Sequence, residues 1–127
     1  MLVLMVALGG AFGAVARYGL SGWVQTLLDT TFPLGTLVVN IVGSFLLGLL
    51  LPLFEGLAWS AEVRTMVTLG FLGAFTTFST FSYEAVVLLE GEEWGRGGLY
   101  MGGSLFLGLV GILSGMALAS FLLQTRG

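Results

Sequence analysis

The residue types best suited to binding chemistry lie in one stretch of the chain, where hydroxyl side chains alternate with phenylalanine. From Thr76 to Ser82, five residues carry a hydroxyl and the other two are Phe78 and Phe81. These phenylalanines are one helical turn apart, and an aromatic ring has a positive edge. Rings presented edge-on could stabilise a small anion without a fixed charge, although packing is the ordinary role of phenylalanine in a helix. Binding of this kind is weak enough for release, as conduction requires.

A second polar group, Asn40, falls in the middle of another apolar segment. Thr36, Asn40 and Gly43 follow the spacing i, i+4 and i+7, so they share one face of a helix. The Asn40 amide offers two N–H donors and one acceptor. It has two candidate roles that spacing alone does not separate. One is a hydrogen bond between helices, which is common in membranes, and the other is an anion ligand on the wall of a path.

The residues before the hydroxyl-rich stretch predict an interrupted helix. Gly70 and Gly73 precede a pair of β-branched threonines, which is a poor sequence for a continuous helix. We expect a break between Gly73 and Thr77. Carbonyl groups that are freed at a break need a partner, and a buried cation is one known partner.

Further polar side chains in apolar segments have both a structural and a functional interpretation. At about 100° per residue, Thr76, Thr80 and Glu84 would share one side of the third segment, opposite the two phenylalanines. Glu84 is either a functional acid, which is the default for an acid inside a span, or an interfacial residue that accepts hydrogen bonds. Arg17, at the expected end of the first helix, would pair with an acid or extend to the interface.

The last apolar segment adds two hydroxyls on one face. Tyr100 and Ser104 are spaced i and i+4 and could contribute to a polar path. The same segment contains two Gly-x-x-x-Gly pairs, which favour close helix packing. Packing is the more economical interpretation for most of this segment.

The composition places these residues in a membrane and excludes several classes of function. Of the 127 residues, 57% are hydrophobic and only 9% are charged, whereas soluble domains are about a quarter charged. A net charge of −3 with no lysine excludes a nucleic-acid partner bound through a basic face. The absence of His and Cys excludes imidazole and thiolate metal sites. Without His, Lys or Cys, no nucleophile–base pair of an enzyme can be assembled.

Four segments are long and apolar enough to span a bilayer. They are predicted at residues 1–18, 34–54, 63–89 and 98–123. They form a single transmembrane domain over residues 1–127, an all-α membrane protein with a broken third helix. A cleaved signal peptide is the alternative for the first segment, but no basic side chain precedes its apolar run and glycines interrupt it.

The distribution of arginine predicts insertion in both orientations. With four spans, Arg64 and Arg126 lie on one side of the membrane, and Arg17 and Arg96 on the other. Orientation is normally set by an excess of Lys and Arg on the cytoplasmic side, and here the count is tied. Four helices alone leave little room for an aqueous path. We therefore expect an antiparallel dimer, related by an axis in the membrane plane as inverted repeats are.

Taken together, these residues resemble the CrcB/Fluc family of fluoride channels, over the whole chain. Three motifs carry the likeness. The last of them is specific to this family, and the first two support it. The motifs are Gly9–Ala14 with Arg17-Tyr18, then Pro33–Thr36 with Asn40, Gly43 and Ser44, and finally Gly70–Gly73 running into Thr76–Phe81. The chain departs from the family pattern at Ala74-Phe75, where many members have Gly-Gly or Gly-Leu, and at Gly108, where some have a second serine.

The resemblance implies an antiparallel, dual-topology homodimer with two fluoride pathways. It implies that Asn40 lines the pore and that the edges of two phenylalanine rings face the ion. With Thr36 on the Asn40 face, the candidate pore residues are Asn40, Phe78, Phe81, Ser79, Thr80, Thr36, Tyr100, Ser104, Glu84 and Arg17. The backbone carbonyls of Gly73 and Thr76 would hold a structural sodium ion at the dimer interface, which is not transported.

The implied function is passive export of fluoride across the cell inner membrane, with the lipid bilayer and a second copy as partners. A proton-coupled antiporter of the small multidrug resistance type is one alternative. It would need an acid in the first helix, where there is none, so only Glu84 could serve. A non-transporting assembly subunit is another alternative, which fits the glycines but leaves Asn40 and the hydroxyl run without a purpose. No Walker-type loop is present, so no coupling to ATP is expected.

Overall fold

The computed structural model describes residues 1–127 and contains helices and no strands. The helices are α1 (Leu2–Leu28), α2 (Leu34–Gly56), α3 (Ala61–Thr65), α4 (Gly73–Phe75), α5 (Phe78–Glu90) and α6 (Trp94–Gln124), with a π-helical segment at Met66–Leu72. Four stretches are long and apolar enough to cross a membrane, namely α1, α2, the combined stretch Ala61–Glu90, and α6. The prediction of an all-helical chain with four candidate spans is confirmed.

Two faces of the bundle follow from this order of spans. Both chain ends and the connection between α2 and α3 lie on what we call the first face. The connections between α1 and α2 and between α5 and α6 lie on the second face. Large apolar side chains are exposed along the spans, among them Phe12, Leu105 and Phe121. So much exposed apolar surface is unfavourable in water. It is accommodated where lipid or a partner protein covers it.

The first helix is longer than its apolar pattern predicts. The prediction ended it at Tyr18, but α1 continues to Leu28, because residues 19–28 hold no proline and continue the apolar pattern through Trp23 and Val24. The helix ends at Asp29, whose φ of 43° is left-handed. Arg17 is therefore inside the span rather than at its end. It forms no ion pair, since the chain's only ion pair joins Arg96 and Glu93.

The third span is irregular at two points. Its π-helical segment, Met66–Leu72, leads into the short helix α4, and such segments are frequent at functional sites. After Phe75 the chain leaves the helical conformation: Thr76 has φ −83° and ψ 155°, and Thr77 has φ −147° and ψ 120°. Helix α5 then begins at Phe78. We call Thr76 and Thr77, the two residues with extended dihedral angles, the interruption.

Glycine allows the helices to approach closely at the backbone. A Cβ atom at Gly48 would meet the carbonyl of Ile112 on α6, and one at Gly115 would meet the carbonyl of Phe45 on α2. The pair α2 and α6 thus packs through glycine on both sides, as small residues allow in membranes.

Gly13 is expected to be the most sensitive glycine of α1. A Cβ atom there would meet the carbonyl group of Phe71 in the π-helical segment, so Gly13→Ala should destabilise the fold by about 1–3 kcal/mol through overpacking. The measurement is the midpoint of thermal unfolding in detergent. Gly19→Ala is the matched control on the same helix, because a Cβ at Gly19 has no neighbour within 4 Å. Equal midpoints for the two variants would contradict this account.

Candidate functional site

Asn40 binds the backbone of Thr77 at the interruption of the third span. Its Oδ1 accepts a hydrogen bond from the Thr77 N–H at 2.8 Å, and its Nδ2 donates to the Thr77 carbonyl at 3.0 Å. Thr77 is buried, so both of its backbone groups need partners away from water. Asn40 supplies them and keeps one N–H donor uncommitted. The amide therefore joins two helices and also lines a groove, so the two roles left open by the spacing are compatible.

The Thr77 side chain starts helix α5. Its hydroxyl accepts a hydrogen bond from the Thr80 N–H at 3.2 Å, which makes Thr77 the N-cap residue. In an uninterrupted α-helix, each N–H donates to the carbonyl four residues earlier. The Thr77 N–H would then donate to the Gly73 carbonyl, and the Thr80 N–H to the Thr76 carbonyl. Here the Thr77 N–H donates to Asn40 Oδ1 instead, and the Thr80 N–H donates to the Thr77 hydroxyl. The carbonyls of Gly73 and Thr76 therefore do not accept these two hydrogen bonds.

A groove of about 370 Å³ lies beside the interruption, and we call it the main groove. It brings together six of the predicted residues, which are Asn40, Gly73, Thr76, Phe78, Phe81 and Ser104. It is also lined by Gly43, Ser44, Thr68 and Gly108. The Ser104 hydroxyl is buried and has no hydrogen-bond partner within the chain. A buried donor without a partner is costly, so this hydroxyl is available to a water molecule or an anion.

The two phenylalanines of the main groove have different surroundings. Phe78 is 80% exposed in the single chain, whereas Phe81 packs on Tyr100 with ring centroids 5.2 Å apart. The Phe78 and Phe81 rings lie 5.8 Å apart and are tilted by 50°. Because they are tilted, the two rings do not stack face to face, and both line the main groove.

Glu84 lies in a hydrogen-bonded cluster near the second face. The Thr36 hydroxyl donates to its Oε1 at 2.7 Å, and the Tyr100 hydroxyl donates to its Oε2 at 2.7 Å. Tyr100 is 1% exposed and Thr36 is 7% exposed. Each carboxylate oxygen thus has a short donor, which offsets the cost of placing an acid inside a span. Glu84 therefore accepts hydrogen bonds from Thr and Tyr, as one of its two interpretations expected. It lies about two turns from either end of α5.

A smaller groove of about 190 Å³ contains Arg17. It is lined by Arg17 with Tyr18 and Ser21 of α1, and by Thr36, Thr77 and Thr80. An arginine inside a span without an acidic partner is costly. Four Ser and Thr residues, Ser21, Thr36, Thr77 and Thr80, line the groove with it.

The interruption corrects one expectation about helix faces. Thr76 was predicted to share a side with Thr80 and Glu84, but it precedes the start of α5. It faces the main groove, whereas Thr80 lines the smaller one. Ser79 is exposed and lines neither groove.

Two residues of the site have structural roles that the sequence pattern did not predict. Thr77 is the partner of Asn40 and the cap of α5, and Gly43 admits the Thr76 side chain, because a Cβ atom there would overlap it. The signal for Thr77 was present, since threonine is a preferred N-cap residue. No group of three or more His, Cys, Asp or Glu side chains is placed to hold a metal ion, so a cation here would depend on backbone oxygens.

Comparison with known proteins identifies one family. A family profile described as "CrcB-like protein, Camphor Resistance (CrcB)" matches residues 4–116 of this chain. The match covers the second and third spans in full, most of the first and last, and every residue of the two grooves.

Several curated proteins are similar over most of their length. A protein of Thermus thermophilus named "Fluoride-specific ion channel FluC" is 55% identical over 107 residues, which is 84% of each chain. "Fluoride-specific ion channel FluC 1" of Methanosarcina acetivorans is 58% identical over 93 residues, 72% of this chain and 70% of its own. A relative of the same name as the first, from Sulfurovum, is 46% identical over 117 residues, 92% of each chain.

Proposed function

This chain belongs to the CrcB-like family, and we infer that it is a subunit of a fluoride-selective ion channel that lets fluoride leave the cell passively. The observation that carries this function is the 55% identity to a fluoride-specific channel over 84% of each chain. The geometry supports it, since the main groove offers an amide, hydroxyls and ring edges but no cation. Uncharged groups bind an anion weakly enough to release it, which conduction requires.

We further propose that two copies assemble as an antiparallel homodimer in the cell inner membrane. Phe78 is 80% exposed in the single chain and the main groove is open on one side, so a second copy would complete the wall. With Arg17 well inside α1, the arginines at or beyond the ends of the spans are Arg64 and Arg126 on the first face and Arg96 on the second. A difference of one is a weak bias under the positive-inside rule, which supports insertion in both orientations.

Within this dimer, we assign the path to the residues of the main groove and the cluster beside it. Asn40 and Ser104 would donate hydrogen bonds to the ion, and Phe78 and Phe81 would present ring edges to it. Tyr100, Thr36 and Glu84 would form the second-face end of the path. Arg17 and Thr80, in the smaller groove, would attract the anion toward the interruption, and Ser79 would contribute only through contact with the second copy.

The interruption also fits a structural sodium ion at the dimer interface. The hydrogen-bond donors that an unbroken helix would direct to the carbonyls of Gly73 and Thr76 go instead to Asn40 and Thr77. Unwound carbonyl oxygens are ligands that hold sodium in other membrane proteins. Bound there, the ion would neutralise oxygens buried between the two copies. The sodium ion would be structural and would take no part in fluoride transport.

The two alternatives fit the site less well. A proton-coupled antiporter would use Glu84, but both oxygens of this carboxylate already accept short hydrogen bonds from Thr36 and Tyr100. A non-transporting assembly subunit would have no use for the unpartnered Ser104 hydroxyl. An ion channel, by contrast, uses such a donor and requires no catalytic group.

The proposed function is tested by fluoride efflux from liposomes that hold the purified protein. A fluoride-selective electrode should record efflux driven by the fluoride gradient alone, with no proton gradient imposed. Chloride-loaded liposomes serve as the control and should not release chloride. Efflux that appears only with a proton gradient would favour the antiporter, and no efflux of fluoride would leave the assembly subunit.

A further inference from the structure

We propose that Gln25 is a positioning residue for the second-face end of the ion path. Its side chain fixes the α1–α2 connection, residues 29–33, so that the Phe32 ring covers the Tyr100–Glu84 pair. The proposal rests on the proposed function in one respect only, the assignment of that pair to the path. No fixed charge or metal is needed for it.

The Gln25 carboxamide makes three hydrogen bonds to backbone groups of this connection. Its Nε2 donates to the carbonyl of Thr30 at 2.5 Å and to that of Phe32 at 3.0 Å. Its Oε1 accepts from the N–H of Gly35 at 3.1 Å, at the start of α2. One side chain thus holds both ends of the connection. Such a bond has a modest net value, but a partly buried backbone group left without its partner costs more.

The backbone held by Gln25 carries the Phe32 ring onto the core near the second face. The Phe32 and Tyr100 rings meet edge to face, with centroids 5.6 Å apart and an interplanar angle of 85°. Phe32 also packs against the buried cluster formed by Ala85, Leu88 and Tyr100. Edge-to-face pairs have a preferred geometry, so the position of Phe32 constrains the Tyr100 ring whose hydroxyl binds Glu84.

Arg96 holds the same connection from its outer side. Its Nη2 donates to the Thr31 hydroxyl at 3.0 Å, and its guanidinium lies 5.6 Å from the centre of the Phe32 ring. Arg96 is one helical turn nearer the second face than Tyr100 on α6. Phe32 therefore lies between the aqueous side, marked by Arg96, and the buried Tyr100–Glu84 pair. This order makes Phe32 the seal over the Tyr100–Glu84 pair on that side.

The seal predicts that loss of Gln25 admits water to the cluster. Ala85→Cys supplies a reporter, because Ala85 is 4% exposed beneath Phe32 and the chain has no native cysteine. In lipid nanodiscs, where both faces are accessible, Gln25→Ala should raise the rate of labelling by a membrane-impermeant maleimide about tenfold. Gln124→Ala is the matched control, since Gln124 is exposed near the C-terminus. An equal labelling rate in the two backgrounds would overturn the proposal.

A double-mutant cycle separates positioning from general destabilisation. If Gln25 acts through Phe32, then Phe32→Ala should raise the labelling rate to a similar extent, and the double variant should add little further. Multiplied effects would mean that Gln25 acts elsewhere, and would overturn the proposal. Dimer content on size-exclusion chromatography should be unchanged in all variants, which excludes misfolding as the cause.

Fluoride efflux links the seal to the path. Gln25→Ala should lower efflux about tenfold, in parallel with its labelling, because the Tyr100–Glu84 geometry is no longer held. Faster labelling with unchanged efflux would show that Gln25 holds the connection without positioning the path, and would overturn the proposal. If the wild-type protein carries no fluoride, the proposed function fails instead, and the labelling cycle still decides whether Gln25 fixes Phe32.

Discussion

Replacing Phe81 by isoleucine should reduce fluoride efflux from liposomes to background, at least about a hundredfold below wild type, a loss that requires about 3 kcal/mol. Phe81 is the ring that joins the two parts of the site. It lies 5.8 Å from Phe78 in the main groove and 5.2 Å from Tyr100 in the Glu84 cluster. Isoleucine retains apolar bulk but has no positive edge for an anion. The same loss is expected for Phe78→Ile.

The control for this prediction is Phe121→Ile. Phe121 is 62% exposed near the end of α6 and lines neither groove, so the substitution removes an aromatic ring without touching the site. Its efflux should equal wild type. Dimer content should be unchanged in all three variants. Wild-type efflux in both Phe78→Ile and Phe81→Ile would remove ring edges from the mechanism and leave the rings as packing.

The relation between these two rings could be predicted from the sequence because both lie on one unbroken helix. Phe78 and Phe81 follow the interruption and belong to α5, so their spacing of three residues places them together, as helical geometry requires. Thr76 lies within the interruption, before α5 begins. Its predicted face assumed a continuous helix, and that assumption failed where the phase of the helix is reset. Sequence periodicity holds within an element and is lost across a break.

The four spans could also be predicted, because a bilayer sets a minimum apolar length. The length of α1 could not, since residues 19–28 contain both apolar residues and glycine, and no strong stop signal precedes Asp29. The hydrogen bonds of Glu84 were equally out of reach. They join α2, α5 and α6, and the rotation of three helices about their axes depends on packing rather than on spacing within one of them.

Asn40→Asp should block fluoride conduction for two reasons that can be separated. Asn40 closes a pair of hydrogen bonds with the backbone of Thr77, accepting at 2.8 Å and donating at 3.0 Å. A carboxylate retains the acceptor, but it places an oxygen against the Thr77 carbonyl where the amide had a donor. It also places a negative charge beside the path of an anion. At a separation of about 4 Å and an effective dielectric constant of about 20, that repulsion is about 4 kcal/mol.

Asn40→Ala is the uncharged comparison, because alanine removes both hydrogen bonds to Thr77 and adds no charge. Both variants lose the donor to Thr77, so a common loss of efflux measures the role of Asn40 in holding the interruption. Any further loss in Asn40→Asp measures the charge, and about 4 kcal/mol corresponds to roughly a thousandfold. Equal efflux in the two variants would place the amide away from the ion, as a bond between helices only. Wild-type efflux in Asn40→Asp would remove Asn40 from the path altogether. The larger loss expected for the carboxylate therefore distinguishes an amide that lines an anion path from one that only joins α2 to the third span.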